Sequence, residues 1–153
     1  MSRVEDRIAE LGLTLPAASK PVAAYIPAVV TGNLVFTSGQ LPMVDGALAV
    51  TGKVGAEVDA EAAKQLARTC VLNGLAAARG AIGSLDRITR VVKVVGFVAS
   101  APDFTGQPGV INGASEVLGE IFGDAGRHAR SAVGVTALPL DSPVEVEVVF
   151  TCA

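Results

Sequence analysis

The chain has no tryptophan and a single tyrosine, Tyr25, and aromatic residues fill only 4% of its 153 positions. Its core must therefore be built from Ala, Val, Leu and Ile rather than from rings. Histidine occurs once, as His128, and without a second imidazole or a thiolate cluster no metal site is expected. Cys70 and Cys152 are the only cysteines and have neither Cys-x-x-Cys nor metal-ligand spacing. Cys70 falls on an apolar helical stripe and reads as a small buried hydrophobe. Charge is sparse at 18% with a net −3, and the twelve basic residues are scattered without aromatic interleaving, which argues against a nucleic-acid partner. No apolar run is long enough to span a bilayer, so no membrane partner is expected. The charged start Ser2-Arg3-Val4-Glu5-Asp6-Arg7 is unlike a signal peptide, and the expected location is the cytoplasm. There is no P-loop, no Gly-x-Gly-x-x-Gly after a strand and no partner for a Ser-His-Asp triad, so an enzyme here would use acid–base and electrostatic groups with no cofactor.

Half of the residues are hydrophobic, enough for one domain with a substantial core and for a surface apolar enough to suggest a subunit interface. Residues 4–12 read as a short helix, and residues 1–22 as an N-terminal helix and loop ahead of a main unit over 23–153. Strands are expected at Ala23–Val30 and Leu34–Thr37, with Ser38-Gly39-Gln40-Leu41-Pro42 breaking the regular structure and room for one short strand in the Gly-rich stretch to Gly55. Asp59 looks like the N-cap of a helix whose stripe runs Ala63, Leu66, Ala67, Cys70, Val71, Gly74, Leu75, Ala78, with Gly80 as its stop. Ile88–Ala99 reads as a strand covered on both faces. A second helix is expected over Gly109–Phe122, and strands over Ser131–Leu138 and Pro143–Cys152. The order β-β-α-β-α-β-β predicts a two-layer α+β or α/β domain with both helices on one face of the sheet. The other face, with Val133, Val135, Val144, Val146 and Val148, would be left for a neighbouring subunit.

Two residues stand out for chemistry. Arg130 sits at the mouth of one late strand in His128-Ala129-Arg130-Ser131, and Glu145 on the next in Val144-Glu145-Val146-Glu147-Val148. A guanidinium can hold a substrate carboxylate and a carboxylate can handle a proton or a water, the needs of a site for a small carboxylic acid. The plainer reading is a surface arginine and solvent-facing glutamates. If the two strands form a hairpin through Pro139–Pro143, Arg130 and Glu145 lie roughly 20 Å apart along the ribbon. They then share a ligand only across a subunit boundary. Gly39 leaves room for a ligand to approach the backbone and offers its N–H to an anion, while Ser38, Tyr25 and Asn112 are weaker candidates.

Gly32-Asn33-Leu34-Val35-Phe36-Thr37-Ser38-Gly39-Gln40-Leu41-Pro42, with Ala129-Arg130-Ser131, Leu138-Pro139 and Val144-Glu145-Val146-Glu147 downstream, resembles the Rid family (RidA/YjgF, often labelled endoribonuclease L-PSP). The resemblance runs from about residue 23 to the C-terminus. It implies a chorismate-mutase-like α+β fold with the helices on one face of a mixed sheet. It also implies a barrel-like homotrimer with sites between subunits and a small substrate carrying a carboxylate. By the same resemblance, the reaction is hydrolysis of reactive enamines and imines, such as 2-aminoacrylate-type 2-imino acids, to 2-keto acids and ammonia. Arg130 would then pair with the substrate carboxylate, assisted by the Gly39 N–H. Glu145 would orient or activate water, Tyr25 would line the pocket, and Ser38 and Asn112 would adjoin it. The family's Gly-Pro-Tyr appears here as Ala23-Ala24-Tyr25, and its cysteine two residues after the arginine is Ala132, whose backbone can still bind ligand. An N-terminal helix and a longer Thr105–Gly113 segment mark a divergent branch. Two other functions fit the same residues: a non-catalytic protein that binds or senses 2-keto acids, and a ribonuclease suggested by the family's label alone.

Overall fold

A computed structural model describes residues 2–18 and 24–153. Helix α1 (Arg3–Glu10) is closed by a capping box in which the Ser2 side chain accepts from the Glu5 N–H and Glu5 reaches back to the Ser2 N–H. Ile8 is buried, and the Arg79 guanidinium donates to Glu5 at 2.7 Å. The N-terminal helix is thus packed onto the body of the fold, against α3 and the 3-10 turn at Leu85–Arg87. The division expected between residues 22 and 23 lies outside the described residues, as does Ala23, but residues 24–27 are not in a strand, so the first strand starts at Ala28 rather than at Ala23.

Strands β1 (Ala28–Thr31) and β2 (Leu34–Thr37) form a hairpin across Gly32, which takes φ +58°. The stretch to Gly55 contains only isolated bridges, Val44 with Ala47 and Val54 with Val58 and Ser100, so the short strand allowed there does not form. Helix α2 (Ala60–Ile82) is capped by Asp59, whose carboxylate accepts from the Ala62 N–H at 2.7 Å. It runs through Gly80 and stops two residues later, because the left-handed turn that ends it falls on Gly83 at φ +86°. Strand β3 (Ile88–Ala99) has the expected bounds. Helix α3 (Gln107–Phe122) begins two residues earlier than the apolar stripe suggests, since Pro108 is preorganised for a first helical turn. At Gly113 it presses on α2 so closely that a Cβ would collide with the Lys64 carbonyl. Strands β4 (Ala129–Val135) and β5 (Val144–Cys152) complete the domain.

The sheet order is β1-β2-β5-β3-β4, with β4 parallel to β3 and β5 antiparallel to it. The last two strands therefore do not form a hairpin. β3 lies between them, and residues 136–143 cross its end through a 3-10 turn at Pro139–Asp141 in which Leu140 and Asp141 both take positive φ. Two inter-strand spacings are only about 10 Å, within easy reach of that connection.

Both long helices cover one face of the sheet. The even-numbered residues of β5 (Val144, Val146, Val148, Phe150, Cys152) lie buried beneath them, with the Phe150 ring 6.4 Å from that of Phe122. Each such side chain contributes about 1.5–3 kcal/mol of burial. Val144, Val146 and Val148 are thus core residues, contrary to their expected place on the open face. With a side-chain period of two, placing the glutamates on one face commits the valines to the other. The open face carries Glu145, Glu147 and Val149 of β5, Val95 and Phe97 of β3, and exposed Val29 (47%), Phe36 (41%) and Val133 (43%). β3 is consequently covered fully on its helix side only. No described helix is long and apolar enough to cross a membrane.

Candidate functional site

Arg130 is level with Val94 and so projects to the helix side of β4, an edge strand. Its Nη1 donates to Asn112 Oδ1 at 2.8 Å and to Ser115 Oγ at 3.2 Å. Both acceptors come from α3 and stand three residues apart, hence on one face of that helix. The two bonds occupy both protons of Nη1. The other lateral edge, Nε–H and Nη2–H, donates to no described residue, and that edge is one a carboxylate can accept from with both oxygens. The guanidinium borders a groove of about 350 Å³ lined by Ser115, Gly119, Gly126, Arg127, His128 and Arg130. Ala132 follows two residues along the same face of β4, level with Gly96.

A second group assembles at the other edge of the core. The Gln40 N–H donates to the Val146 carbonyl at 2.8 Å and the Val146 N–H to the Gln40 carbonyl at 3.0 Å, which lays Gly39 over Glu145. A Cβ at residue 39 would sit 2.6 Å from Glu145 Oε2, so only glycine lets the carboxylate occupy that position. Among the described residues, nothing accepts from the Gly39 N–H. Burial raises the pKa of the Glu145 carboxyl above the usual value, and the neighbouring Glu147 charge adds to it. A carboxyl held closer to neutrality is better suited to take up and return a proton. Ser38 donates from its hydroxyl to the Ile26 carbonyl at 2.7 Å and from its N–H to the Pro27 carbonyl at 2.8 Å. It thereby pins the loop that carries Tyr25, which is 51% exposed. Buried Cys70 has its thiol pushed well up, chiefly by loss of solvent and then by Glu145, as befits a packing residue.

The candidate residues thus fall into two halves, Arg130 with Asn112 and Ala132, and Glu145 with Gly39 and the adjoining Ser38, which holds the loop that carries Tyr25. Glu145 is level with Phe97 and Val133, three residues along β4 from Arg130 and two strands away. Their Cα atoms are roughly 14 Å apart, and their side chains point to opposite faces of the sheet. The geometry expected from a hairpin is therefore corrected, and the separation has a different cause: one chain keeps the cation and the carboxylate apart because a sheet stands between them. Ser115 was not singled out from the sequence, although Asn112, Ser115 and Gly119 share the helical spacing of one face. Arg127, His128 and Arg130, neighbours in sequence, line one groove, and folding brings the Arg90 guanidinium to donate to the Arg127 carbonyl beside it.

A mixed five-stranded sheet in this order, with two helices on one face, is a chorismate-mutase-like α+β fold. Residues 5–151 match the family described as "YjgF/chorismate_mutase-like, putative endoribonuclease", and the chain belongs to it. It is 43% identical over 146 residues to Protein TCP17 of Trypanosoma cruzi, spanning 95% of this chain and 91% of that protein. Its identity to a 2-iminobutanoate/2-iminopropanoate deaminase of Dermatophagoides farinae is 34% over 136 residues, spanning 88% of this chain and 91% of that one. The crystal structure of Atu1372 from Agrobacterium tumefaciens superposes with a TM-score of 0.89 at 45% identity, covering 97% of this chain and 91% of the other.

Proposed function

We propose that the protein hydrolyses small 2-imino acids to 2-keto acids and ammonia, at sites formed between chains of a homotrimer. The observation that carries the reading is the Arg130 guanidinium, locked by Asn112 and Ser115 with one two-donor edge turned free. A deaminase of 2-iminobutanoate and 2-iminopropanoate among its relatives supports the choice of substrate. Because the Arg130 half and the Glu145 half lie on different faces, each contact between copies is head-to-tail, and such contacts close into a ring when the rotation allows. The apolar open face with Val29, Phe36 and Val133 supplies surface for that assembly.

In such a site the substrate carboxylate accepts from Nε–H and Nη2–H of Arg130, and the Gly39 N–H of the next chain adds a donor. Glu145 takes a proton from water as the water oxygen bonds to the imine carbon and the C=N electron pair moves to nitrogen, and it hands that proton to the nitrogen to give a neutral amino alcohol. Glu145 then takes the hydroxyl proton and passes it to the nitrogen as the C–N bond breaks, so that ammonia leaves a 2-keto acid. Lys cannot present two parallel donors. Arg130→Lys should therefore lose most activity with its oligomeric state intact. Ammonia release is measured from imino acids generated in situ by an amino-acid oxidase, with and without the protein. Keto-acid binding without any rate enhancement would replace the deaminase reading with that of a metabolite-binding protein, and near wild-type turnover by the lysine variant would remove Arg130 from its role.

A further inference from the structure

The groove beside Arg130 is larger than the site proposed above requires. From the guanidinium it continues past Ser115 and Gly119 of α3 to Gly126, Arg127 and His128. It is shallow and open to solvent, with a volume of about 350 Å³, whereas an imino acid with a one- or two-carbon side chain needs only the part against Arg130.

The charge at its far end is mainly positive. The two glutamates of α3 nearest the groove are taken up on the other side of the helix, Glu116 by Lys64 and Glu120 by Arg68, each at 3.2 Å. Asp124 is the remaining acid, 3.9 Å from Arg127 Nε, a loose contact between two exposed side chains. His128 Nδ1 donates to the Ala129 carbonyl at 3.0 Å, so Nε2 can donate to a carboxylate when the ring is in its imidazolium form. Arg90 approaches from β3 to donate to the Arg127 carbonyl at 3.1 Å and adds its charge to the same corner.

Gly119 borders open space on the groove side of α3. It sits in the last turns of α3, where glycine is a poor helix former, and a Cβ there would meet nothing within 4 Å. Gly113 and Gly126 are different, since a Cβ at either would strike a carbonyl, of Lys64 and of Leu118 respectively. No neighbour requires Gly119 to lack a side chain, and what its hydrogen leaves free is the wall of the groove.

We propose that this groove receives the substrate's side chain and selects 2-imino and 2-keto acids that carry a second carboxylate, Arg130 holding the first carboxylate and Arg127 with His128 receiving the second. The proposal rests on the deaminase reading only for its placement of the first carboxylate on Arg130. It concerns binding, so it is tested by titration calorimetry on the intact protein with 2-oxoglutarate and 2-oxoadipate against pyruvate and 2-oxobutanoate. The diacids are expected to bind about threefold or more tightly than the monoacids, since a contact with an exposed guanidinium is worth less than about 1 kcal/mol. In Arg127→Ala the ratio of diacid to monoacid affinity should fall to about one. Gly119→Leu, which projects into the groove, should lower the ratio likewise while leaving the helix intact, as its thermal unfolding will report. Equal affinity for diacids and monoacids in the wild-type protein, or a ratio unmoved in Arg127→Ala, overturns the assignment. Diacid binding that depends on Arg127 without ammonia release would sink the deaminase reading and leave the groove assignment standing. Ammonia release without diacid preference would do the reverse.

Discussion

If the Arg130 half and the Glu145 half meet only between chains, two inactive variants should rescue each other. Arg130→Lys removes one of two parallel donors to the substrate carboxylate, a charge-assisted bond of about 1.5–3 kcal/mol, which is tenfold or more in kcat/KM. Glu145→Gln keeps the shape of the side chain over Gly39 but cannot take a proton, so it should be the more severe of the two. In a ring with head-to-tail contacts, each site takes its arginine from one chain and its glutamate from the next. When the variants are co-expressed in equal amounts and mix at random, a site has a wild-type arginine with probability about one half and a wild-type glutamate with the same probability. About one quarter of the sites are then intact, and the mixture should show about a quarter of wild-type ammonia release. Each variant purified alone should show only residual activity, and mixing after separate assembly should restore none. A co-expressed mixture whose activity is only the mean of the two variants would refute a site shared between chains, whatever each variant does alone.

Removing the Glu145 charge should also stabilise the fold. Its carboxyl has a raised pKa in the folded state, so the ionised form opposes folding at neutral pH, and the penalty disappears as pH falls below the ordinary glutamate value, where both states are protonated. Glu145→Gln should accordingly melt slightly higher than wild type at pH 7, by less than about 1 kcal/mol because the group is only partly withdrawn from water, and equally at pH 3. A lower melting point at pH 7 would contradict the direction assigned to the shift. Gly39→Ala places a Cβ 2.6 Å from Glu145 Oε2 and must displace the carboxylate, so kcat should drop about tenfold or more with little change in melting temperature. Full activity in that variant would mean that the position of Glu145 is immaterial. Phe36→Asp puts a charge on the apolar open face without touching the core, since Phe36 is 41% exposed. Light scattering should give three chains for the wild type and a smaller species for the variant, with ammonia release lost alongside. A trimeric, active variant would place the subunit contact elsewhere.

Much of the fold can be read from local pattern. The Val-rich run Ile88–Ala99, the Asp59 cap and the Leu34–Thr37 strand each declare themselves within a few residues. The stop of α2 is less clear, because Gly80 and Gly83 offer the same residue and only the folded backbone shows which one takes positive φ. Strand pairing is harder still. Pro139–Pro143 looks like a hairpin turn, yet β3 pairs with both β4 and β5, and no periodicity within a strand encodes its neighbour. The candidate site shows the same division. Arg130 and Glu145 stand out as residue types, but their opposite faces follow from the register of three strands. Asn112, Ser115 and Gly119 recur with helical spacing, and only the placement of α3 over β4 shows that this face looks onto Arg130.

A sheet with one covered face forces a choice at every strand. Along β5 the valines fill the core, and the same alternation delivers Glu145 and Glu147 to the uncovered side. Along β4 the alternation runs the other way, so Arg130 turns inward to α3 and Val133 outward. Had Arg130 stood one residue earlier or later, it would share the open face with Glu145 and lose the Asn112 and Ser115 anchors that fix its free edge. The anchoring of the cation and the placement of the half-buried carboxylate are therefore both products of this register, which keeps the two apart within one chain. In the proposed assembly the open face has two roles that cannot be separated by mutation, since a contact that hides Phe36 and Val133 would also be the one to bring a second chain's glutamate to the arginine. On this reading, activity should follow the assembled fraction as the protein is diluted, and a monomer should be inert even when fully folded.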